Sequence, residues 1–174
     1  MSSIDEFYED YYVLSYITRY SNVIRIKNES VAEHSFFVAL LVLKLADTYN
    51  FDIQTALAYA IVHDMMEAEI NDITHYTKSK YPEINKAVKD AETQAFNAFP
   101  DGWIKSYYEF GKMYPDSNEM LIVKLADVIQ CSQYAKHEMK LGNKGYMEDV
   151  FCESVKRRRI LEEKLSKCRR ADIV

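Results

Sequence analysis

Glycine and proline are scarce in this chain, at four and three among 174 residues. A β-sandwich or barrel needs a turn signal every ten residues or so, and so few breakers cannot supply them. Cysteine is equally sparse. Cys131, Cys152 and Cys168 are an odd number with no CxxC spacing, which excludes a disulfide framework or a zinc ribbon and reads as reduced thiols. No apolar run approaches the roughly 20 residues of a membrane span. The opening Met-Ser-Ser-Ile-Asp-Glu is acidic rather than signal-like. Basic side chains do not dominate either: the net charge is −5, and nucleic-acid-binding domains are usually basic. The expected setting is therefore the cytoplasm, with neither a membrane nor a nucleic acid polymer as partner.

What is present fits a folded helical protein. Hydrophobic residues make up 48%, charged residues 28%, and 14 Tyr with 8 Phe argue against disorder. The length suits one domain over 1–174. Residues 4–20 read as a tyrosine-rich helix and 21–29 as a polar connection. Ser30-Val31-Ala32-Glu33 is a capping box that opens a helix to about Tyr49. Asp52 with Thr55 opens another, expected to run unbroken to about Ala68 or Ile70. Residues 71–82 look less regular, and Pro82 starts a helix. Pro100-Asp101-Gly102 is a turn followed by a short helix at 103–112. Ser117 or Asp116 caps a helix over 118–141, ended by Gly142-Asn143, and a last helix spans about 146–168. No segment alternates with period two. The expected fold is an all-α bundle of about six to eight helices.

Polar residues on core-facing stripes carry the functional signal. Val31, His34, Val38, Leu41 and Leu45 fall on one helical stripe, and His34 is its only polar member. Leu57, Ala60, Ile61 and Asp64 form a second, with His63 beside it. Met120, Val123, Asp127 and Cys131 form a third. A buried, unpaired carboxylate costs several kcal/mol, and no Lys or Arg lies one helical turn from Asp64. A divalent ion among His34, His63, Asp64 and Asp127 would satisfy all four. Imidazole with carboxylate suits Mn, Fe, Co, Ni or Zn rather than an oxygen-only cage for Ca or Mg.

At these residues the chain resembles the HD-domain metal-dependent phosphohydrolases, whose signature is H…HD…D on separate helices. It resembles one branch in particular, the 5′-deoxynucleotidases of the YfbR type. Arg19-Tyr20 precedes Glu33-His34-Ser35, then come His63-Asp64-Met65-Met66-Glu67 and Asp72, then Ala126-Asp127. Tyr20 stands where the branch commonly has Trp, and Thr74 where it has Pro. The resemblance implies an HD-domain helical bundle, one divalent transition metal ion as cofactor, a deoxynucleotide substrate and a homo-oligomer, dimer or higher. The implied reaction is release of phosphate from deoxynucleoside 5′-monophosphates. Compact phage relatives act on deoxynucleoside triphosphates, notably dATP, so a triphosphohydrolase is the second reading. A non-catalytic nucleotide-binding protein of this superfamily is the third, and it would lack an ion ligand or the nearby carboxylate, which this chain has.

The implied roles follow residue by residue. His34, His63, Asp64 and Asp127 hold the ion. Glu67, four residues after His63 and three after Asp64, projects from the same side of a helix, where it orients or deprotonates a water. Asp72 protonates the leaving oxygen or positions a water. Arg19 grips phosphate through its guanidinium, helped by Lys78. Arg25 and Lys27 are further candidates, and Tyr20 is a candidate stacking partner. His75 and His137 look uncommitted. Lys156-Arg157-Arg158-Arg159 reads as a solvated helix face. Tyr8, Tyr11, Tyr12 and Tyr16 read equally as an oligomer contact or a wide core face.

Overall fold

The computed structural model describes residues 3–170, and among them every regular element is helical. The helices are α1 (Ile4–Tyr12), α2 (Val31–Leu45), α3 (Ile53–Val62), α4 (Glu67–Ile70), α5 (His75–Lys80), α6 (Pro82–Ala98), α7 (Trp103–Met113), α8 (Asn118–Lys140) and α9 (Tyr146–Lys164), with 3-10 turns at Val13–Ser15 and Leu165–Cys168. Leaving aside the single turn α4, eight helices of six residues or more agree with the all-α bundle read from the sequence.

The caps are where local chemistry puts them. Ser30 and Glu33 exchange the two bonds of a capping box at the start of α2. The Asp52 carboxylate accepts from the Gln54 and Thr55 amides, and Ser117 accepts from Met120. Helix α8 is the spine. Its buried residues, Leu121, Ile122, Val123, Leu125 and Ala126, meet Val38 and Val42 of α2, Ala56 and Ala60 of α3, and Leu165. A second cluster joins Tyr134, Ala135 and Met147 to Tyr20. A third, around Val62, Met65, Met66 and Tyr108, carries the far side of α3.

Several expected helices are shorter than the sequence implied: α2 ends at Leu45 rather than about Tyr49, α9 gives way to a 3-10 turn after Lys164, and two differ more. Helix α1 stops at Tyr12 and gives way to a 3-10 turn, after which Thr18 pairs with Ser30 in an isolated antiparallel bridge. There the Arg19 amide donates to the Glu29 carbonyl (2.9 Å) and the Val31 amide to the Ile17 carbonyl (3.0 Å), which ties residues 17–19 to the start of α2. The second correction concerns residues 52–70. Helix α3 ends at Val62, and amide-to-carbonyl bonds Met65–Val62, Glu67–Asp64 and Ala68–Met65 wind the chain more tightly before α4. The ring of His63, the capping residue, hydrogen-bonds the Ala60 carbonyl through Nδ1 at 2.7 Å, where the α-helical ladder gives way. Within the stretch expected to be less regular, Thr74 caps the short helix α5.

The connection at 21–29 is anchored rather than loose. Glu138, fully buried on α8, accepts from the Ile26 and Lys27 amides (both 2.7 Å) and from Asn143 (2.7 Å). The Tyr134 hydroxyl donates to the Lys27 carbonyl at 2.7 Å.

Candidate metal centre and substrate cleft

His34 of α2, His63 at the end of α3 and Asp127 of α8 meet at one point. One ligand atom from each lies within 4.8 Å of the other two. Ile61, expected on the core-facing stripe of α3, is instead exposed, and Asp64 lies past that helix. His34 Nε2 is 3.4 Å from Asp127 Oδ1 and 3.6 Å from Asp64 Oδ2, and His63 Nε2 is 3.3 Å from Asp64 Oδ2. The two imidazoles are already oriented by their other nitrogens. His34 Nδ1 pairs with Gln130 Oε1 at 2.7 Å and His63 Nδ1 with the Ala60 carbonyl at 2.7 Å. Both partners are acceptors, so Nδ1 carries a proton and each Nε2 is turned inward, where it can ligate once unprotonated.

These inward atoms have nothing to bond. Among the described residues the buried side-chain polar atoms without a hydrogen-bond partner are His34 Nε2, His63 Nε2, Glu67 Oε2, Arg19 Nε and Glu29 Oε2, and all belong to this site. Buried polar groups are otherwise satisfied almost without exception in folded proteins. The donor set of two imidazoles and two carboxylates fits a divalent transition metal ion.

The electrostatics point the same way. Burial works to raise the Asp64 carboxyl, but His63, His34 and Arg19 hold it well below the usual range. Asp127 is likewise held low by His34 against its burial. Burial alone would suppress charge on His63, yet Asp64 pushes it up to about 9. Burial, then the Asp64 and Asp72 carboxylates, push Glu67 up to about 9. In the protein alone, protons offset this crowd of negative charge, and a cation in the gap takes their place. Arg19, whose NH1 lies 3.6 Å from Asp64 Oδ2, is a partner that helical spacing could not reveal, since it comes from a distant segment.

Glu67 reaches the site for a different reason than an unbroken helix. The tightened turn after Val62 joins the Glu67 amide to the Asp64 carbonyl at 3.0 Å, and Glu67 lies within the field of the Asp64 carboxylate. Asp72 Oδ2 accepts the Tyr20 amide at 3.0 Å. Among the described residues Tyr20 (φ 55°) and Asn71 (φ 65°) are the non-glycine residues with positive φ, so the strained backbone sits beside Arg19 and Asp72.

Beside this centre lies a cleft of about 690 Å³, which Asp127 and Arg19 border and the two histidines do not. Its inner end is lined by Arg19, Asp127, Asp72 and Cys131, one wall by His75 and Lys78 of α5, and the other by Tyr146, Glu153 and Arg157 of α9. The Cys131 thiol donates to Asp127 Oδ1 and accepts from Arg19 NH2, both at 3.4 Å, and burial pushes it up to about 12, so it stays protonated.

Several candidates are tied up within the protein or lie away from the cleft, though Tyr20 borders it. Tyr20 is buried, stacked on Tyr134 at 5.5 Å and covered by the Arg19 guanidinium at 5.6 Å, which leaves little ring face for a ligand. Arg25 is used up on the Tyr20 and Val23 carbonyls and Asn28. Lys27 and His137 are exposed and line no part of the cleft. Of the tyrosines on the first turns only Tyr11 packs inward, against Phe99, while Tyr8, Tyr12 and Tyr16 are exposed. The basic run on α9 is not uniformly a solvated face, because Lys156 and Arg157 line the cleft.

The sequence reading also missed Glu29 and Gln130. Glu29 Oε1 accepts from Gln130 Nε2 at 2.6 Å, and Glu29 Oε2 lies 3.8 Å from Arg19 Nε, so a buried chain runs from the guanidinium through Glu29 and Gln130 to His34. The available signal was Gln130 itself, a polar residue three positions after Asp127 on a helix whose neighbouring positions are apolar.

The profile of the 5′-deoxynucleotidase YfbR-like family matches residues 6–167. The 5′-deoxynucleotidase HDDC2 of Danio rerio is 26% identical over 129 residues, 71% of this chain and 62% of its own length. The chain thus spans about three fifths of the length of that relative. A Pyrococcus horikoshii protein of known crystal structure superimposes with a TM-score of 0.76 at 27% identity, covering 94% of this chain and 95% of that one. An HD-domain phosphohydrolase from Listeria innocua shares the fold, with a TM-score of 0.72 at 18% identity over 94% of this chain and 83% of its own. The chain belongs to the YfbR-like 5′-deoxynucleotidase family.

Proposed function

We propose that this protein is a metal-dependent 5′-deoxynucleotidase that hydrolyses deoxynucleoside 5′-monophosphates to nucleoside and phosphate. The observation that carries this reading is the cluster of partnerless buried polar atoms, two imidazole nitrogens and a carboxylate oxygen among them, around a centre whose Arg19 and Asp127 border an open cleft. In this reading His34, His63, Asp64 and Asp127 hold one divalent ion, Mn, Co, Zn or Fe. When bound it supplies Lewis-acid polarisation of the phosphoryl group and a lowered pKa for water.

The chain's own residues do the rest. Arg19, with NH1 and NH2 directed towards Asp64 and Cys131, holds non-bridging phosphate oxygens beside the ion site. Glu67, buried and partnerless at Oε2, orients the attacking water and takes its proton. As the water oxygen bonds to phosphorus, the P–O5′ bond breaks and the leaving O5′ needs a proton. Asp72, fixed through one carboxylate oxygen by the Tyr20 amide and close enough to act on Glu67, relays to O5′ the proton that Glu67 took from the water. Lys78 attracts the nucleotide from the α5 wall. Tyr20 supports this machinery by packing under Arg19.

A single catalytic domain over 1–174, a cytoplasmic setting and a homo-oligomer complete the reading. No described helix is long and apolar enough to cross a membrane, and the three cysteines are free thiols. The second reading, a deoxynucleoside triphosphate triphosphohydrolase, shares the same centre and is favoured by the basic outer cleft.

The test is to incubate purified protein with Mn²⁺ or Co²⁺ and dAMP or dATP and to separate released phosphate from triphosphate. Phosphate from dAMP is expected. Asp64→Ala is expected to lose bound metal and to lower kcat by about 10³-fold or more, the scale of losing a major electrostatic element of a site. Activity that survives Asp64→Ala, or no release from either nucleotide, overturns the assignment.

A further inference from the structure

Arg19 and the ion ligands hang on different parts of the chain. The guanidinium comes from the segment before α2, which its own amide ties to the Glu29 carbonyl, and Asp127 comes from the middle of α8. Attack on a phosphate needs the two in fixed register, because one phosphate group must meet the ion site and the guanidinium together. The acids around Arg19 do not supply that register. Asp64 Oδ2 is 3.6 Å from NH1 and Glu29 Oε2 is 3.8 Å from Nε, ion contacts too long to be hydrogen bonds, and Nε has no partner. The Tyr20 ring, 5.6 Å from the guanidinium carbon, supports the plane of the group but not its direction within that plane.

Among the described residues, the hydrogen bond that the Arg19 side chain makes goes to a sulfur. NH2 donates to Cys131 Sγ at 3.4 Å. The Cys131 thiol donates in turn to Asp127 Oδ1 at 3.4 Å, and among the described residues that is the hydrogen bond this carboxylate accepts. Cys131 lies four residues after Asp127 on α8, so both side chains rise from one helical face. One thiol thus joins the guanidinium to an ion ligand, accepting with its sulfur and donating with its hydrogen. An apolar side chain could do neither. A carboxylate could not donate, and it would set a further negative charge against Asp127. A thiol is also a weak partner, so Arg19 keeps its other N–H groups for phosphate and is not locked onto the sulfur.

Resting on the nucleotidase reading, we propose that Cys131 is a positioning residue whose thiol sets the direction of Arg19 against Asp127, so that guanidinium and ion site meet the same phosphate group. It acts through Arg19, not on the substrate. Asp127 Oδ1, the oxygen 3.4 Å from His34 Nε2, is drawn on by both the thiol hydrogen and the ion. Losing the thiol therefore weakens phosphate binding without weakening metal binding, a signature that general damage to the fold would not give.

Two variants separate hydrogen bonding from packing. Cys131→Val stays close to the size of the side chain and removes both hydrogen bonds, while Cys131→Ser keeps a donor and an acceptor. Mn²⁺ binding is measured by titration, inorganic phosphate binding to the Mn²⁺-loaded protein by calorimetry, and dAMP hydrolysis on the same preparations. Cys131→Val is expected to bind phosphate about 10-fold more weakly and to raise KM for dAMP by a similar factor, the scale at which neutral and charged hydrogen bonds meet. Its Mn²⁺ affinity is expected to be no lower than that of the wild type. Cys131→Ser is expected to recover most of the phosphate affinity. Unchanged phosphate affinity in Cys131→Val overturns the role. So does a parallel loss of Mn²⁺ and phosphate binding, which marks a packing defect, or a Cys131→Ser as impaired as Cys131→Val, which leaves hydrogen bonding without a part. Hydrolysis of dAMP by the wild type with no phosphate defect in Cys131→Val sinks the role and leaves the nucleotidase reading standing. The expected phosphate pattern with no hydrolysis of dAMP does the reverse.

Discussion

Glu29 and Gln130 show how much of this site depends on side chains that touch neither ion nor substrate. Gln130 Oε1 fixes the His34 tautomer, and Gln130 can present that oxygen because its amide nitrogen is held by Glu29. Removing such a partner from a ligating histidine typically costs 10–100-fold in metal affinity. Gln130→Leu is therefore expected to weaken Mn²⁺ or Co²⁺ binding by about that factor, measured by metal titration. Saturating metal should restore most of kcat, a rescue that a merely misfolded variant would not show. Glu29→Gln keeps an acceptor for Gln130 but removes the charge facing Arg19, so its defect is expected in KM more than in metal affinity. Equal metal binding in Gln130→Leu and wild type would remove the positioning role. His34, Asp64 and Asp127 were legible in the sequence because a polar residue on an apolar helical stripe is a one-dimensional signal. Glu29 was not, since its meaning lies in contacts with Arg19 and Gln130 that only the folded chain creates.

At the scale of elements, the caps at Ser30, Asp52 and Ser117 were readable because their chemistry is local. The break at His63–Met66 was not, because it accompanies a ring-to-carbonyl contact that leaves no mark on composition. Helix α3, which carries the break, is seated against α7 by the smallest possible side chain. A Cβ at Gly111 would meet the Tyr59 ring at 2.0 Å, far inside any tolerated contact. Tyr59 also packs against Tyr108 and lies 6.5 Å from the His63 ring, so it cannot retreat without disturbing the helix that presents His63. Overpacking of this kind costs about 1–3 kcal/mol. For a chain of this size that is a Tm lower by roughly 2–10 °C, and Gly111→Ala is expected to show it in thermal unfolding. Tyr59→Leu in the same chain should return part of the loss, because the two changes share one contact and do not add. An unshifted Tm in Gly111→Ala would show that α7 stands off from α3.

For the whole molecule, the telling element is again α2, apolar on both faces. One face, Val31, His34, Val38 and Val42, is buried and carries the site. The opposite face exposes Phe36 (60%), Phe37 (47%), Leu40 (46%) and Leu43 (46%). A helix that is hydrophobic all round is normally covered on all sides, and a patch of several hundred Å² marks an interaction surface. We take its occupant to be a second copy of this chain, since an isologous contact sets the same stripe against itself and doubles the apolar area buried. Covering the exposed half of each side chain is worth about 1 kcal/mol, hence about 8 kcal/mol for the pair of stripes. Association itself costs about 4–15 kcal/mol. The balance places the dimer in a concentration-dependent regime unless neighbouring residues add to the interface. Sedimentation is therefore expected to give twice the 20.4 kDa chain mass at high micromolar concentration and a falling average mass on dilution. Phe36→Glu with Leu40→Glu should yield a monomer that still binds metal, because the changes lie on the face opposite His34. A wild-type protein that stays monomeric at high concentration, or a double variant that still dimerises, would place the contact elsewhere or remove it.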